Sequence, residues 1–350
     1  MNVCAKCFSD KELIGYIGSF EKTGECDICN NKEEYIIQLD ELQDFFQELV
    51  DNYQPDKSGV SFKNKIQGNW SLFSNHKSAS EILNNLLPKL NTTILNADFK
   101  VNYISDILDN ISYWETLKEE LKWEKRFLTD IVHLTEDLGW DGFFNTQYQL
   151  GNDISLYRAR VHHTSGQKAF EKNEMNCPPK EKVNGGRANS LGIPTLYLSD
   201  NEETVLYEVR ASYLDELTIG EFKLNSIESI KIVDFTEDTD LFQPERVNET
   251  IKGKLLREKI SSDLSKPMRR YDSEIEYIPT QFICEFIKVF TGAKGIRFQS
   301  SLHPKGKNLV IFNQKLMKCI AAKLVQVNNI SLKSIGIETQ HNNGNRCASR

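Results

Sequence analysis

Two pairs of cysteines near the N-terminus place the tightest geometric constraint on the fold. Cys4 and Cys7 form one Cys-x-x-Cys pair, and Cys26 and Cys29 form a second after eighteen intervening residues. Each pair can present two thiolates to one point, and two pairs complete a tetrahedral zinc site. Because four protein sulfurs fill all four positions, such a zinc is structural and not catalytic. We therefore predict a zinc knuckle over residues 1–32, with four unligated cysteines as the alternative.

The rest of the composition is typical of a cytoplasmic protein. The N-terminus, Met1 to Cys4, has no apolar stretch of the kind that a signal peptide needs. No apolar run approaches the roughly eighteen residues of a membrane helix, so we expect no membrane association. The cysteines should then stay reduced, which makes a disulfide framework unexpected. A net charge of −7 argues against broad non-specific binding to nucleic acid.

The next part of the chain, residues 33–145, predicts a mainly helical domain. Apolar side chains recur at helical spacing in three segments, residues 33–50, 78–90 and 103–134. In the third segment Arg126 and His133 lie seven residues apart, on one face of one helix. This pair resembles the Arg-x(4–6)-His motif of HEPN ribonucleases, although Phe127 stands where that motif usually has a polar residue. A HEPN-like RNA-binding or ribonuclease module is therefore one alternative, and a helical scaffold or sensor is the other.

A glycine-rich segment in the second half of the chain carries a conspicuous group of polar residues. Gly185, Gly186 and Arg187 form a polar loop, and a short apolar run over residues 195–198 then fits a buried strand. Asp200 and Glu203 follow with the spacing of a capping box, which predicts the start of a helix. Glu208 falls at the edge of the apolar face of that helix. A carboxylate there can lean into a cleft, whereas the plainer interpretation is a surface glutamate beside a tight turn.

Two further segments strengthen the first interpretation. Upstream, residues 154–160 alternate like a strand and carry Tyr157 and Arg158 side by side. Downstream, a strand beginning at Gly295 runs into a polar loop with Ser300 and Ser301. A second apolar strand follows this loop and begins at Asn308.

These segments, in this order, resemble the RES domain family, which is named for its Arg, Glu and Ser. The resemblance covers about residues 150–330 and implies a mixed α/β fold similar to that of ADP-ribosyltransferases. The whole chain is then an α+β protein in which a zinc knuckle and a helical N-terminal domain precede the RES domain. Residues 331–350 are polar and irregular, and we expect a flexible tail there.

The resemblance also implies chemistry on NAD, with cleavage of the bond between nicotinamide and ribose by hydrolysis or phosphorolysis. Positive charge develops on the ribose in such a reaction, as in glycoside cleavage, and a carboxylate stabilises it. We expect Glu208, Ser300 and Arg158 to be catalytic, with Ser301 as the alternative serine. The residues expected to hold NAD are Tyr157, Arg158, Arg187, Tyr197, Ser300 and Asn308, since arginines suit the pyrophosphate and tyrosine rings can stack.

Several alternatives remain open from the sequence. A protein ADP-ribosyltransferase would use the same site and transfer ADP-ribose to a protein acceptor. A binding module that recognises a partner through the zinc knuckle and helices would have a catalytically inert C-terminal half. No Gly-x-Gly-x-x-Gly segment follows a strand, which argues against NAD as a reversible redox carrier. Many RES toxins are held inactive by an antitoxin, so the resemblance implies a protein partner, unless the N-terminal half does that work. Assembly into a homo-oligomer is also left open.

Overall fold

The computed structural model describes residues 1–144, 147–267 and 273–331. Within these residues the chain forms three β-sheets and a set of packed helices, so the predicted α+β class is confirmed. All of the predicted tail after Ser331 lies outside the described residues. No helix in the described part is long and apolar enough to cross a membrane.

The first forty residues build a small sheet and one helix around the paired cysteines. The sheet is antiparallel in the order β1-β3-β2, with strands β1 (Asn2–Cys4), β2 (Thr23–Gly24) and β3 (Glu34–Gln38). Helix α1 (Lys11–Gly18) begins at Asp10, whose carboxylate accepts a hydrogen bond from the Leu13 N–H at 3.0 Å. The other Asp10 oxygen accepts from the N–H groups of Leu241 and Phe242, so this module is fastened to the C-terminal half.

Four helices and a two-stranded sheet follow. The helices are α2 (Gln43–Val50), α3 (Phe62–Trp70), α4 (His76–Leu86) and α5 (Ser105–Trp123), and the strands are β4 (Tyr53–Ser61) and β5 (Lys100–Tyr103). The predicted helix over residues 103–134 is wrong for residues 124–130, and helical structure resumes at residue 131. Its apolar pattern continues into Phe127 and Leu128, but these side chains are 96% and 87% exposed, so no core selects a helix there.

The C-terminal half is organised on a mixed sheet of eight strands in the order β13-β9-β7-β8-β12-β11-β10-β6. Neighbouring strands are antiparallel, except that β10 and β11 are parallel. The strands are β6 (Gln147–Leu150), β7 (Leu156–Val161), β8 (Leu196–Ser199), β9 (Glu216–Leu224), β10 (Ile230–Asp234), β11 (Gly295–Gln299), β12 (Lys307–Ile311) and β13 (Met317–Gln326). The strands β7, β8 and β12 at the centre of this sheet come from the segments singled out in the sequence.

Four helices accompany the large sheet: α6 (Trp140–Phe143), α7 (Glu202–Glu208), α8 (Val247–Leu264) and α9 (Ile278–Phe290). Helix α9 is the one that its sequence predicts most directly. Pro279 stands in its first turn, where the missing N–H costs no hydrogen bond. Its stripe of Ile283, Phe286 and Ile287 is buried.

The long helix α5 belongs to two hydrophobic cores at once. Its first half places Ile107 and Ile111 in the core of the N-terminal half. Its second half places Trp114, Leu117 and Leu121 in a second core, which is built with α8, α9 and the large sheet. The N-terminal region is therefore packed against the C-terminal half through its own longest helix.

Candidate active site

Helix α7 carries the predicted glutamate to one end of the central strands. Its N-cap is Asn201, whose side-chain oxygen accepts from the Thr204 N–H at 2.8 Å. The predicted cap, Asp200, is wrong, because its carboxylate instead accepts from the Lys307 N–H and ties β8 to β12. The helix is only seven residues long and ends at Glu208, whose side chain is exposed.

Two buried side chains fix the Glu208 carboxylate. Ser300 Oγ donates to Glu208 Oε1 at 2.6 Å, and Asn308 Nδ2 donates to the same oxygen at 2.7 Å. Ser199 Oγ in turn donates to Asn308 Oδ1 at 2.7 Å, which sets the orientation of the amide. Ser199, Ser300 and Asn308 are buried. A buried relay therefore holds an exposed carboxylate, and among the described residues no further hydrogen bond occupies its Oε2.

The loop that supplies Ser300 is itself held tightly against α7. The N–H groups of Leu302 and His303 donate to Ser300 Oγ at 3.3 and 3.1 Å. A Cβ at Gly306 would lie 1.9 Å from Thr204 Oγ1, so only glycine lets the loop approach the helix this closely. The hydroxyl that holds the carboxylate is thus oriented by backbone donors as well as by packing.

A cavity of about 360 Å³ opens beside this carboxylate. That volume lies within the range of small-molecule sites, about 300–1,000 Å³. The predicted residues Arg158, Arg187, Tyr197, Glu208 and Asn308 line it, together with Ser301. Six polar or aromatic side chains from three distant parts of the sequence thus surround one space.

Arg187 and Tyr197 are held by the glycine-rich loop. Arg187 Nη1 donates to the Leu264 carbonyl at the end of α8, at 2.6 Å. Burial lowers the pKa of this guanidinium, and the charge of Glu208 acts in the opposite direction. Tyr197 exposes 36% of its surface, while its hydroxyl donates to Asn189 Oδ1 and accepts from the Ala188 N–H. Burial raises the pKa of that hydroxyl, so the ring stays neutral.

Arg158 occupies the cavity wall in a different way. Its Nη1 donates to the Met175 carbonyl at 3.2 Å, and it lies opposite Gly220 in the β7–β9 ladder. Burial lowers the pKa of Arg158, the neighbouring Arg160 lowers it further, and Cys177 opposes the shift. Arg158 therefore both lines the cavity and holds the loop that carries Met175.

Two predicted residues stand behind the cavity. Tyr157 packs against a small apolar cluster that includes Ala159 and Val205. Ser300 donates a hydrogen bond to Glu208 without lining the cavity, whereas its neighbour Ser301 forms part of the cavity wall. The sequence reasoning missed three contributors: Ser199, Leu264 and Tyr277. Only Ser199 had a local signal, since it ends the Leu-Tyr-Leu-Ser strand.

The Arg126–His133 pair does not form a site on one helix face. Arg126 donates from Nε and Nη2 to the carbonyls of Leu121 and Lys122, and so covers the end of α5. His133 lies in a separate π-helical turn and pairs through Nδ1 with Asp137 at 2.7 Å. Both side chains thus have local structural partners.

The four N-terminal cysteines converge, as their spacing predicts. Their sulfurs all lie within 4.8 Å of one another, and three of the pairs are 3.4, 3.6 and 3.9 Å apart. A zinc ion with Zn–S bonds of about 2.3 Å would hold its sulfurs about 3.8 Å apart. Burial raises the pKa of the Cys4 thiol to about 12. Burial also acts on Cys29, but hydrogen bonds, beginning with that from Asn31, outweigh it and lower its pKa to about 7. The geometry is compatible with a zinc knuckle.

Comparison with known proteins identifies the domain that carries the cavity. A solved structure described as the M. tuberculosis MbcT-MbcA toxin-antitoxin complex is 12% identical, with a TM-score of 0.29. The match covers 54% of this chain and 92% of that one. None of the curated proteins matches the chain. The RES domain matches residues 155–332, which is half of the chain and includes every residue of the cavity described above, and the chain therefore belongs to the RES domain family.

Proposed function

We propose that this protein is a toxin-type enzyme that cleaves the nicotinamide–ribose bond of NAD. The observation that carries the proposal is the Glu208 carboxylate, fixed through one oxygen by Ser300 and Asn308 at the edge of a cavity with two arginines. A carboxylate held in this way keeps its second oxygen for a ligand and needs little reorganisation during a reaction. This is the arrangement that a developing cation on a sugar requires.

In the proposed reaction the bond between the ribose carbon and the nicotinamide nitrogen breaks, and nicotinamide leaves as a neutral molecule. The ribose carbon becomes electron-poor before the acceptor attacks, as in glycoside cleavage. Glu208 stabilises this charge more in the transition state than in the ground state, which is what lowers the barrier. Ser300 and Asn308 position Glu208.

The remaining wall of the cavity supplies binding. NAD carries two negative phosphates, and two arginines, Arg187 and Arg158, line the cavity. The part-exposed ring of Tyr197 offers a face for stacking, and Ser301 offers a hydroxyl in place of Ser300. In this proposal Tyr157 is a core residue that shapes the wall from behind.

The test is product analysis with the purified full-length protein. NAD is incubated in phosphate-free buffer and in phosphate buffer, and the products are separated and identified by mass. Free nicotinamide with ADP-ribose indicates hydrolysis, and nicotinamide with a phosphorylated ADP-ribose indicates phosphorolysis. ADP-ribose attached to protein indicates transfer. NAD that stays intact under all conditions, at concentrations well above those of the enzyme, contradicts the proposal.

We further propose that the four cysteines bind one structural zinc ion. Cys4, Cys7, Cys26 and Cys29 supply four sulfur ligands, as zinc prefers in closed sites, and their spacing fits a tetrahedron. The ion would stabilise a module whose sheet strands are only two to five residues long. It would take no part in the reaction, since no position remains for a substrate.

A protein partner completes the proposal. An enzyme that consumes NAD needs restraint in the cell that makes it, and the family resemblance indicates an antitoxin or the protein's own N-terminal half. Light scattering of the purified chain, alone and with co-expressed neighbouring gene products, measures both this partnership and any homo-oligomer. A full-length protein that consumes NAD without any partner and harms no host cell argues against an antitoxin.

A further inference from the structure

One carboxylate ties the N-terminal helix α5 to the end of α8. Trp114 Nε1 donates to Asp263 Oδ2 at 2.7 Å, and Lys118 Nζ donates to the same oxygen at 3.0 Å. Trp114 is fully buried, and the Lys118 side chain is only 16% exposed. Hydrogen bonds to a charged group are among the stronger ones, and two of them here meet on one atom. The position of Asp263 is therefore set by residues outside the RES domain.

The next residue along the chain reaches the cavity. Leu264 ends α8, so its carbonyl belongs to the last turn, where helical N–H partners run out. That carbonyl accepts the hydrogen bond from Arg187 Nη1 at 2.6 Å. Because Asp263 and Leu264 are adjacent, a shift of the helix end would move the acceptor that orients this arginine.

A second, smaller cavity also connects helix α5 to Arg187. It has a volume of about 90 Å³ and lies between α5 and the segment before α9. Arg187 and Tyr277 line both this cavity and the larger one. Lys122 of α5 pairs with Glu276, the neighbour of Tyr277, at 3.2 Å. One wall of the candidate site is thus shared with the N-terminal helix.

We propose that α5 positions Arg187 for NAD binding, with Trp114, Lys118 and Asp263 as positioning residues. The inference rests on the proposed function, and it makes the N-terminal half a part of the binding site. Glu208 itself is held by Ser300 and Asn308 and not by any residue of this tie. Loosening the tie should therefore weaken NAD binding and leave the rate constant of the bound complex nearly unchanged.

The chain offers a matched control for this test. Lys252 and Asp106 form an ion pair at 2.6 Å between the same two helices, near the opposite end of α5. Asp263→Asn and Asp106→Asn thus remove the same charge from the same helix pair. We expect Asp263→Asn to raise the KM for NAD roughly three- to tenfold, within the roughly two- to thirtyfold range of such couplings, with kcat changed less than twofold. Asp106→Asn should change neither constant by as much as twofold.

A second variant separates positioning from general stability. In an Arg187→Ala background, Asp263→Asn should produce no further loss of NAD affinity, since the group that it positions is gone. Thermal unfolding of all variants checks that they are folded. If Asp263→Asn is not folded, Lys118→Met tests the same tie with the carboxylate retained, and the same rise in KM is expected.

Two results overturn the inference alone: equal effects of Asp263→Asn and Asp106→Asn on the KM, or an undiminished effect of Asp263→Asn in the Arg187→Ala background. Either result leaves the proposed function standing, because both require a wild-type protein that consumes NAD. A wild-type protein that neither binds nor consumes NAD contradicts the proposed function and this inference together. The wild-type measurement therefore distinguishes the two failures before any variant is compared.

Discussion

Replacing Glu208 by glutamine is the most direct test of the candidate site. Glutamine keeps a side-chain oxygen that can accept from Ser300 and Asn308, the two donors that now meet Glu208 Oε1 at 2.6 and 2.7 Å. The geometry of the helix end and of the relay behind it should therefore survive. What the substitution removes is the negative charge that faces the cavity.

The expected loss of rate follows from the charge and its surroundings. Two unit charges about 4 Å apart interact by about 4 kcal/mol at an effective dielectric constant of about 20, the value suited to a site near the surface. Glu208 is exposed, which favours this value over one for a dry interior. If the ribose carries between half and all of a unit charge in the transition state, the loss is about 2–4 kcal/mol. The rate should then fall roughly thirtyfold to a thousandfold.

The assay measures NAD consumption and NAD binding separately. The rate is followed as nicotinamide release, and binding is followed by calorimetry, where the glutamine variant should resemble the wild type within a few fold. Glu202→Gln is the matched control, since it removes the same charge from the first turn of α7, where Glu202 pairs with Lys323 at 2.7 Å. Full activity of Glu208→Gln, or an equal loss in Glu202→Gln, would refute the reasoning.

Three further outcomes are expected. Protein purified without added metal should contain about one equivalent of zinc per chain by metal analysis, and a Cys4→Ser, Cys26→Ser double variant should contain almost none. Ser300→Ala should lower the rate of NAD consumption roughly tenfold with little change in NAD affinity, because it releases one of the two hydrogen bonds that hold the carboxylate. Gly306→Ala should destabilise the protein by about 1–3 kcal/mol in denaturant titration, since its Cβ meets a hydroxyl at 1.9 Å. Gly68→Ala is its control and should stabilise α3 by about 0.5–1 kcal/mol, because nothing lies within 4 Å of that Cβ.

The elements that the sequence predicted well are those in which local pattern and burial agree. The alternating segment 154–160 predicts a strand, and β7 spans Leu156–Val161. Pro279 and the apolar stripe that follows it predict a helix, and α9 spans Ile278–Phe290. The buried residues of α9 belong to one core, and Gly292 follows its end, whereas Leu156 and Ala159 of β7 are buried in two different clusters. Local sequence preference was sufficient to predict these elements because tertiary packing favours the same secondary structure.

Where tertiary contacts decide, the sequence pattern failed. Pro55 and Gly59 make residues 54–59 typical of a turn or linker, but these residues lie within β4. The ladder between β4 and β5 skips from Pro55 to Val60, so the intervening residues bulge out of the pairing. Nothing in the sequence names β5 as the partner, since the two strands are separated by almost forty residues.

For the candidate site, the sequence predicted which residues are involved but not where each side chain lies. The sequence pattern located Glu208 and two adjacent serines but could not say which serine faces the cavity. That distinction depends on how the chain leaves the end of β11, after which Ser300 is buried against the Glu208 carboxylate and Ser301 lines the cavity. The sequence pattern also could not show that Arg158 donates to the Met175 carbonyl, because that contact joins a strand to a distant loop.

The two cores shared by α5 have a consequence for synthesis on the ribosome. The chain emerges from its N-terminus, so the face of α5 with Trp114 and Leu121 appears long before Ile260 of α8, against which that core packs. At about 5–20 residues per second, the interval between Leu121 and Ile260 lasts roughly 7–28 s. During that time a stripe of tryptophan and leucine on the nascent chain lacks the residues that bury it. A chaperone that binds apolar helices, or a pause in translation placed late in the second half, would act on this one face.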